Sequence, residues 1–127
     1  MTKRRLTLTI NLPKYVTPRN KWRKLIHEEV ITAQRLRDVR YTRSDKLEIK
    51  VLLNLTTSQS MHHDIDNRLK DILDALQGRA GGTKGTPTLP PIIPNDNQIF
   101  RVFIEKTTRP ENKLSHGKLK LRKLQRY

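Results

Sequence analysis

Asp64-Ile65-Asp66-Asn67-Arg68-Leu69-Lys70-Asp71-Ile72-Leu73-Asp74-Ala75-Leu76 places four carboxylates and one lysine in eleven positions of a chain that is otherwise strongly basic. Ile65, Leu69, Ile72, Leu73 and Leu76 recur at i, i+4, i+7, i+8 and i+11, the apolar stripe of an amphipathic helix. Asp66, Lys70 and Asp74 form a second stripe at i, i+4 and i+8, with Asp64 at or just before the first turn. Taken alone, such a face reads as solvated charge with one i, i+4 ion pair, and Asp71 is expected on the solvent side. The competing reading is that the carboxylates of the first turn hold a divalent cation, and the surrounding chain favours it.

Working outward, Leu6, Leu8, Ile10 and Leu12 alternate with polar residues, the pattern of a half-buried strand over 5–12 that ends at Pro13. Thr17-Pro18 reads as an N-cap followed by proline at the first helical position. It opens a helix over about 18–38 that buries Trp22, Leu25, Ile26, Val30, Ala33 and Leu36. Leu47, Ile49, Val51, Leu53 and Leu55 alternate over the next strand, and Ile99 to Lys106 form a third, with Phe100, Val102 and Ile104 facing one way. Gly78 is placed to close the acidic helix. Residues 77–95 are Gly-rich and then Pro-rich, a long loop of a length that is often functional. Lys84 within it lacks the flanking Ser or Thr and the preceding strand of a phosphate loop. The segment 107–127 is basic and weakly apolar; Leu119, Leu121 and Leu124 allow a short strand, a helix, or a tail that orders on nucleic acid. These elements predict one domain over 1–127 of α+β type: a small mixed sheet with two main helices packed on it, in the order β-α-β-α-β.

The 127 residues carry 27 Lys and Arg against 12 Asp and Glu, a net charge of +15. Residues 1–45 hold 12 basic and 4 acidic residues, net +8; residues 106–127 hold 8 and 1, net +7; the middle, 46–105, holds 7 and 7. Two basic ends thus flank a neutral middle that contains the acidic helix, the charge layout of a protein that tracks a polyanion, most often nucleic-acid phosphate. Arg19, Lys21, Arg23 and Lys24 on the first helix, with Arg68, are the candidate nucleic-acid contacts. Cysteine is absent, which excludes disulfides and thiolate zinc sites. No apolar run approaches a membrane span, and no signal-peptide pattern is present. The expectation is a cytoplasmic, nucleoid-associated protein with no membrane partner.

Carboxylates inside a phosphate-binding surface repel the ligand unless a cation neutralises them. Mg²⁺ takes one or two carboxylates, waters and substrate phosphate oxygens, so Asp64 and Asp66 are candidate ligands from one helix end. Asp96 is the candidate third ligand, because it precedes a strand and is the sole Asp or Glu between Asp74 and Glu105. Bound metal would activate water for an in-line phosphodiester displacement, and Lys70 would steady the developing negative charge. His62 and His63 are adjacent, so at most one of them is expected to face the site. Trp22 is expected in the core.

Asp64-x-Asp66-Asn67-x-x-Lys70-x-x-x-Asp74-Ala75-Leu76, followed by Asn95-Asp96-x-Gln98-Ile99, resembles the signature of the RusA-type Holliday-junction resolvases. Thr17-Pro18-Arg19-Asn20-Lys21-Trp22 is similar to the family's opening of its first helix. The resemblance spans roughly residues 5–106. It implies a small, prophage-associated homodimeric endonuclease that uses Mg²⁺ or Mn²⁺ to resolve four-way DNA junctions by paired symmetric nicks, in DNA recombination and repair. It further implies that Asp64, Asp66 and Asp96 are the metal-binding catalytic carboxylates, that Lys70 is the catalytic lysine, and that Asn67 and Asp74 support them. Two departures stand out: Asn95 occupies a position that is commonly acidic in the family, and the loop before Asp96 is longer. The competing readings are a non-catalytic basic nucleic-acid-binding protein and a metal nuclease acting on another branched DNA or on RNA.

Overall fold

The computed structural model describes residues 6–56, 60–61, 63–80, 89–108 and 117–124. His62 and residues 81–88 of the Gly/Pro loop lie outside them. Within the described residues the order is β1 (Leu8–Asn11), α1 (Arg19–Arg37), β2 (Leu47–Leu55), α2 (Ile65–Leu76), a 3-10 turn (Asp96–Gln98), β3 (Ile99–Thr108) and β4 (Gly117–Lys123). The strands form one mixed sheet ordered β1-β4-β2-β3. β4 runs antiparallel to both β1 and β2, and β2 and β3 are parallel with α2 as their crossover. The mixed sheet with two helices is the expected α+β architecture, with a fourth strand added. No helix among the described residues is long and apolar enough to cross a membrane.

The added strand comes from the basic C-terminal segment and sits inside the sheet. Leu119 and Leu121 are 2% and 1% exposed and alternate with Lys118, Lys120 and Arg122, so the period is that of a strand with one dry face. Residues 109–116 and 125–127 of that segment lie outside the described residues. Tyr41 ties the arrangement together: its hydroxyl donates to the carbonyls of Leu6 and Leu121 at 3.0 and 3.4 Å, and burial pushes its phenol pKa upward.

One sheet face carries Leu8, Ile10, Ile49, Val51, Leu53, Leu119 and Leu121 into a single core with Trp22, Ile26 and Val30 of α1 and Ile72, Ala75 and Leu76 of α2. Trp22 belongs to the core, as expected, and its indole N–H donates to the Pro13 carbonyl at 3.0 Å. Leu36 does not: it is 81% exposed, because Arg35 to Asp38 are exposed all round and the last turn of α1 projects past the core. Pro18, rather than Thr17, holds the N-cap position of α1, without a side-chain cap bond. His27 takes an unforeseen core position and joins the Pro90 carbonyl through Nε2 at 2.7 Å.

The buried face of α2 differs from the apolar stripe. Arg68, Asp71, Ile72, Ala75 and Leu76 are buried, whereas Ile65 is 37% exposed. The buried spacing is i, i+3, i+4, i+7 and i+8, a face turned by about a fifth of a turn from the stripe of apolar residues alone. Asp71 is therefore fully buried and not on the solvent side. Asp66 and Lys70 fall opposite that buried face, and both are exposed.

Gly78 closes α2 as expected. At φ +76° it lets its N–H reach the Ala75 carbonyl at 3.0 Å while Arg79 N–H reaches the Asp74 carbonyl at 2.9 Å. A Cβ there would lie 2.1 Å from the Leu89 carbonyl oxygen. Gly78→Ala should cost more than about 1–2 kcal/mol, the usual penalty for a left-handed non-glycine residue alone, and chemical denaturation should show the loss as a lowered midpoint.

On the other sheet face Glu48 is buried between two guanidinium groups, accepting from Arg101 at 2.8 Å and from Arg122 in a short contact. Burial by itself would raise its pKa, but the two hydrogen bonds and charges together win and hold the carboxyl below its usual value. The stability this contributes is present above the unfolded-state pKa and disappears as pH falls through the lower folded-state value. The melting-temperature advantage of the wild type over Glu48→Gln should therefore be full near neutrality, begin to shrink as pH falls through about 4.3, the ordinary glutamate value, and disappear only below the lower folded-state pKa.

Candidate active site

The start of α2 lies beyond the carboxyl ends of the parallel strands β2 and β3, the side on which α/β sheets commonly place ligands. Asp64 is the N-cap residue, with extended φ −82° and ψ 136°. Its carbonyl accepts the Arg68 N–H at 3.1 Å, while its carboxylate makes no capping bond and, among the described residues, accepts only a 3.4 Å contact from Asn67 Nδ2. Asp66 follows in the first turn, and Lys70 one turn later. Neither forms an ion pair among the described residues. The Asp66–Lys70 pairing that spacing alone suggests is absent, and both groups are exposed to an incoming ligand.

Behind this exposed face stands a cationic frame. Asp71 receives Arg19 at 3.0 Å, Arg23 at 2.9 Å and Arg68 at 3.3 Å, and Arg23 also reaches Asp74 at 3.4 Å. Three guanidinium groups thus face two carboxylates, one positive charge in excess, and clamp α1 to α2. The hydrogen bond to Asp71 raises the Arg19 pKa further. Arg19 Nη2 also donates to the Asn67 carbonyl at 3.4 Å, so Asn67 is held from both sides, next to Asp64. Asn67 and Asp74 are half-buried, and each contacts a neighbouring charged side chain.

Arg68 has to be reassigned from the predicted nucleic-acid surface. It is 7% exposed, its guanidinium carbon lies 4.3 Å from the Tyr15 ring centroid and 5.8 Å from that of Trp22, and Nη1 meets His63 Nδ1 at 3.3 Å. Arg23 is likewise engaged internally, and Arg19 is partly so, whereas Lys21 and Lys24 are exposed. His63 faces inward, 8% exposed, with its ring 4.5 Å from Tyr15 in an edge contact.

Sequence reading missed Lys106. From the carboxyl end of β3 its Nζ donates to the carbonyls of Ser60 and His63 at 2.8 and 3.0 Å, beside the start of α2. The signal was faint: a single lysine closing a strand. Its place depends on β3 running parallel to β2, which brings the carboxyl end of β3 to the start of α2.

Asp96 is delivered elsewhere. Asn95 and Gln98 form a reciprocal capping box around it. Gln98 Nε2 anchors the turn to the carbonyls of Thr42 and Asp45. The Asp96 N–H donates to Gln77 Oε1 at 3.2 Å, and Ile92 and Ile93 N–H groups both reach the Leu76 carbonyl. Residues 89–96 therefore fold back on the C-terminal end of α2. Gln77 stands eleven residues beyond Asp66, about 16 Å along the helix axis. The structure brings Asp64, Asp66 and Lys70 to one helix and holds Asp96 at its far end. Among the described residues no group of three or more His, Asp or Glu side chains is placed to hold a metal ion.

As a donor set, the two exposed carboxylates leave room for the several waters that Mg²⁺ keeps, while the positive end of the helix favours the carboxylates and not the cation. The three-carboxylate set with Asp96 does not form in this arrangement. Compared with known proteins, the chain matches no family model, no curated protein and no solved structure.

Proposed function

We propose that this chain is a metal-dependent endonuclease that resolves four-way DNA junctions by paired, symmetric nicks, acting in the cytoplasm on nucleoid DNA during recombination and repair. The observation that carries the reading is the spaced motif from Asp64 to Leu76, in which two acids and a lysine stand exposed on an otherwise basic protein. Asp64 and Asp66 would hold Mg²⁺ or Mn²⁺. When bound, the metal supplies a Lewis acid and an acidified water for phosphodiester hydrolysis. Asn67 orients the Asp64 carboxylate through their contact. Lys70, one turn beyond Asp66, offers its ammonium to the negative charge that develops on the phosphate oxygens. Lys21 and Lys24 meet the DNA backbone from α1. A junction with near-twofold symmetry needs two active sites, so the working unit is a homodimer.

The test is incubation with a labelled synthetic four-way junction, a linear duplex and a flap, in Mg²⁺, in Mn²⁺ and in EDTA. Symmetric nicks in the junction alone, lost in EDTA, are expected. Preference for the flap would assign a different branched substrate. Binding without cleavage in either metal would leave a basic nucleic-acid-binding protein, the second reading, which the two basic chain ends favour.

A further inference from the structure

The sheet face away from the helices carries side chains that the proposed nuclease does not use. Their register forms rows across the strands. Phe103 pairs with Lys50, Lys50 with Lys120 and Lys120 with Thr9. One row along, Arg101 and Arg122 flank Glu48. Phe103 is 47% exposed on this face, with the Lys50 ammonium 5.2 Å from its ring centroid. Glu48, Lys50, Arg101, Phe103, Lys120 and Arg122 border an open hollow of about 320 Å³, within the range of small-ligand sites. Lys50, Arg101, Lys118, Lys120 and Arg122 stand against Glu48 and Glu105, five positive charges against two negative, or +3 for the face.

An exposed ring set among cations, on a sheet open to solvent, has the composition of a platform on which a base stacks while its phosphates meet lysine and arginine. Adjacent strands lie about 4.8 Å apart, so Phe103 and Lys120 are separated by about 10 Å, comparable to the reach of one nucleotide from base to phosphate. A duplex keeps its bases stacked on each other and has no use for the ring. We infer that the open sheet face binds single-stranded nucleic acid, with a base on Phe103 and flanking phosphates on Lys50, Lys120 and Arg122. This site is separate from Asp64 and Asp66 and needs no metal.

Fluorescence anisotropy with a labelled oligo-dT of about twelve nucleotides, titrated in EDTA over a range of salt, tests it on the full chain. The Asp66→Asn variant should bind as the wild type does, so failure of the nuclease reading leaves this result intact. Phe103→Ala and Phe103→Leu should each weaken binding about 5- to 150-fold, leaving the salt slope unchanged; Leu keeps apolar bulk without a ring. Lys120→Ala should weaken binding and reduce the logarithmic salt slope by about 0.7. An oligo-U arm reports whether RNA is taken as readily as DNA, and binding of either strand that depends on Phe103 supports the platform. Binding within twofold of the wild type in both Phe103 variants and Lys120→Ala overturns it, as does a preference for duplex that ignores Phe103. Sedimentation in which the wild type dimerises and Phe103→Leu dissociates would give the face to a second copy, and also overturns it.

Discussion

Asp66→Asn is expected to lower the rate of junction nicking in Mg²⁺ by at least about a hundred-fold, since loss of even an outer-shell group at a metal site costs about 10- to 100-fold. The substitution keeps the shape of an exposed first-turn side chain and removes one negative charge. Folding should be unaffected, because Asp66 has no ion pair among the described residues. Junction binding should be kept or tightened, because an acid that repels phosphate is gone. Asp96→Asn gives the contrast. With its backbone tied to Gln77 at the far end of α2, Asp96 should show a smaller loss than Asp66. Single-turnover cleavage of the labelled junction by the three proteins, in parallel with binding, measures both. Full activity in Asp66→Asn would end the metal-site reading. An equal loss in both variants would mean that the Asn95–Gln98 turn leaves Gln77 when DNA binds.

Asp71→Ala is expected to be the most destabilising single change in the site region. Asp71 has no exposure, and its removal leaves Arg68, with 8% of its side chain exposed, without its carboxylate partner. Breaking a buried ion pair from one side typically costs about 3–5 kcal/mol, on the order of 10–20 °C in Tm for a domain of this size. Arg19 is 41% exposed at its side chain, so its solvent-screened share of the network is small, and Arg19→Ala should cost under about 1 kcal/mol. Denaturant midpoints for the two variants separate these cases. A loss under about 1 kcal/mol in Asp71→Ala would mean that solvent reaches the cluster and that the clamp between α1 and α2 contributes little. The clamp also sets where Asp64 and Asp66 stand, so nicking by Asp71→Ala should fall even at temperatures where the chain remains folded.

Much of this was legible in sequence because it is local. Alternation in Leu8–Ile10 and in Leu47–Leu55 dictates strands whose apolar residues share a face, since the strand period is two wherever the strand goes. Gly78 signals a helix end because the left-handed turn there is closed to other side chains. The exposure of Asp66 and Lys70 also followed from their stripe. Tertiary structure decided the rest, because the deciding partners are far away in the chain. Asp71 is buried by arginines 48 and 52 residues earlier, and without them its charge would force it to the surface. Leu119 and Leu121 read equally as part of a tail until β1 and β2 supply edges on both sides. Asp96 goes to whichever end of α2 can satisfy its turn, and Gln77, nineteen residues away, accepts its N–H. Residue spacing alone determined that Asp66 and Lys70 share one face of a helix, since side-chain type and helical period are properties of the segment itself. Which other groups stand with them depended on long-range ion pairs and hydrogen bonds that only the folded chain assembles.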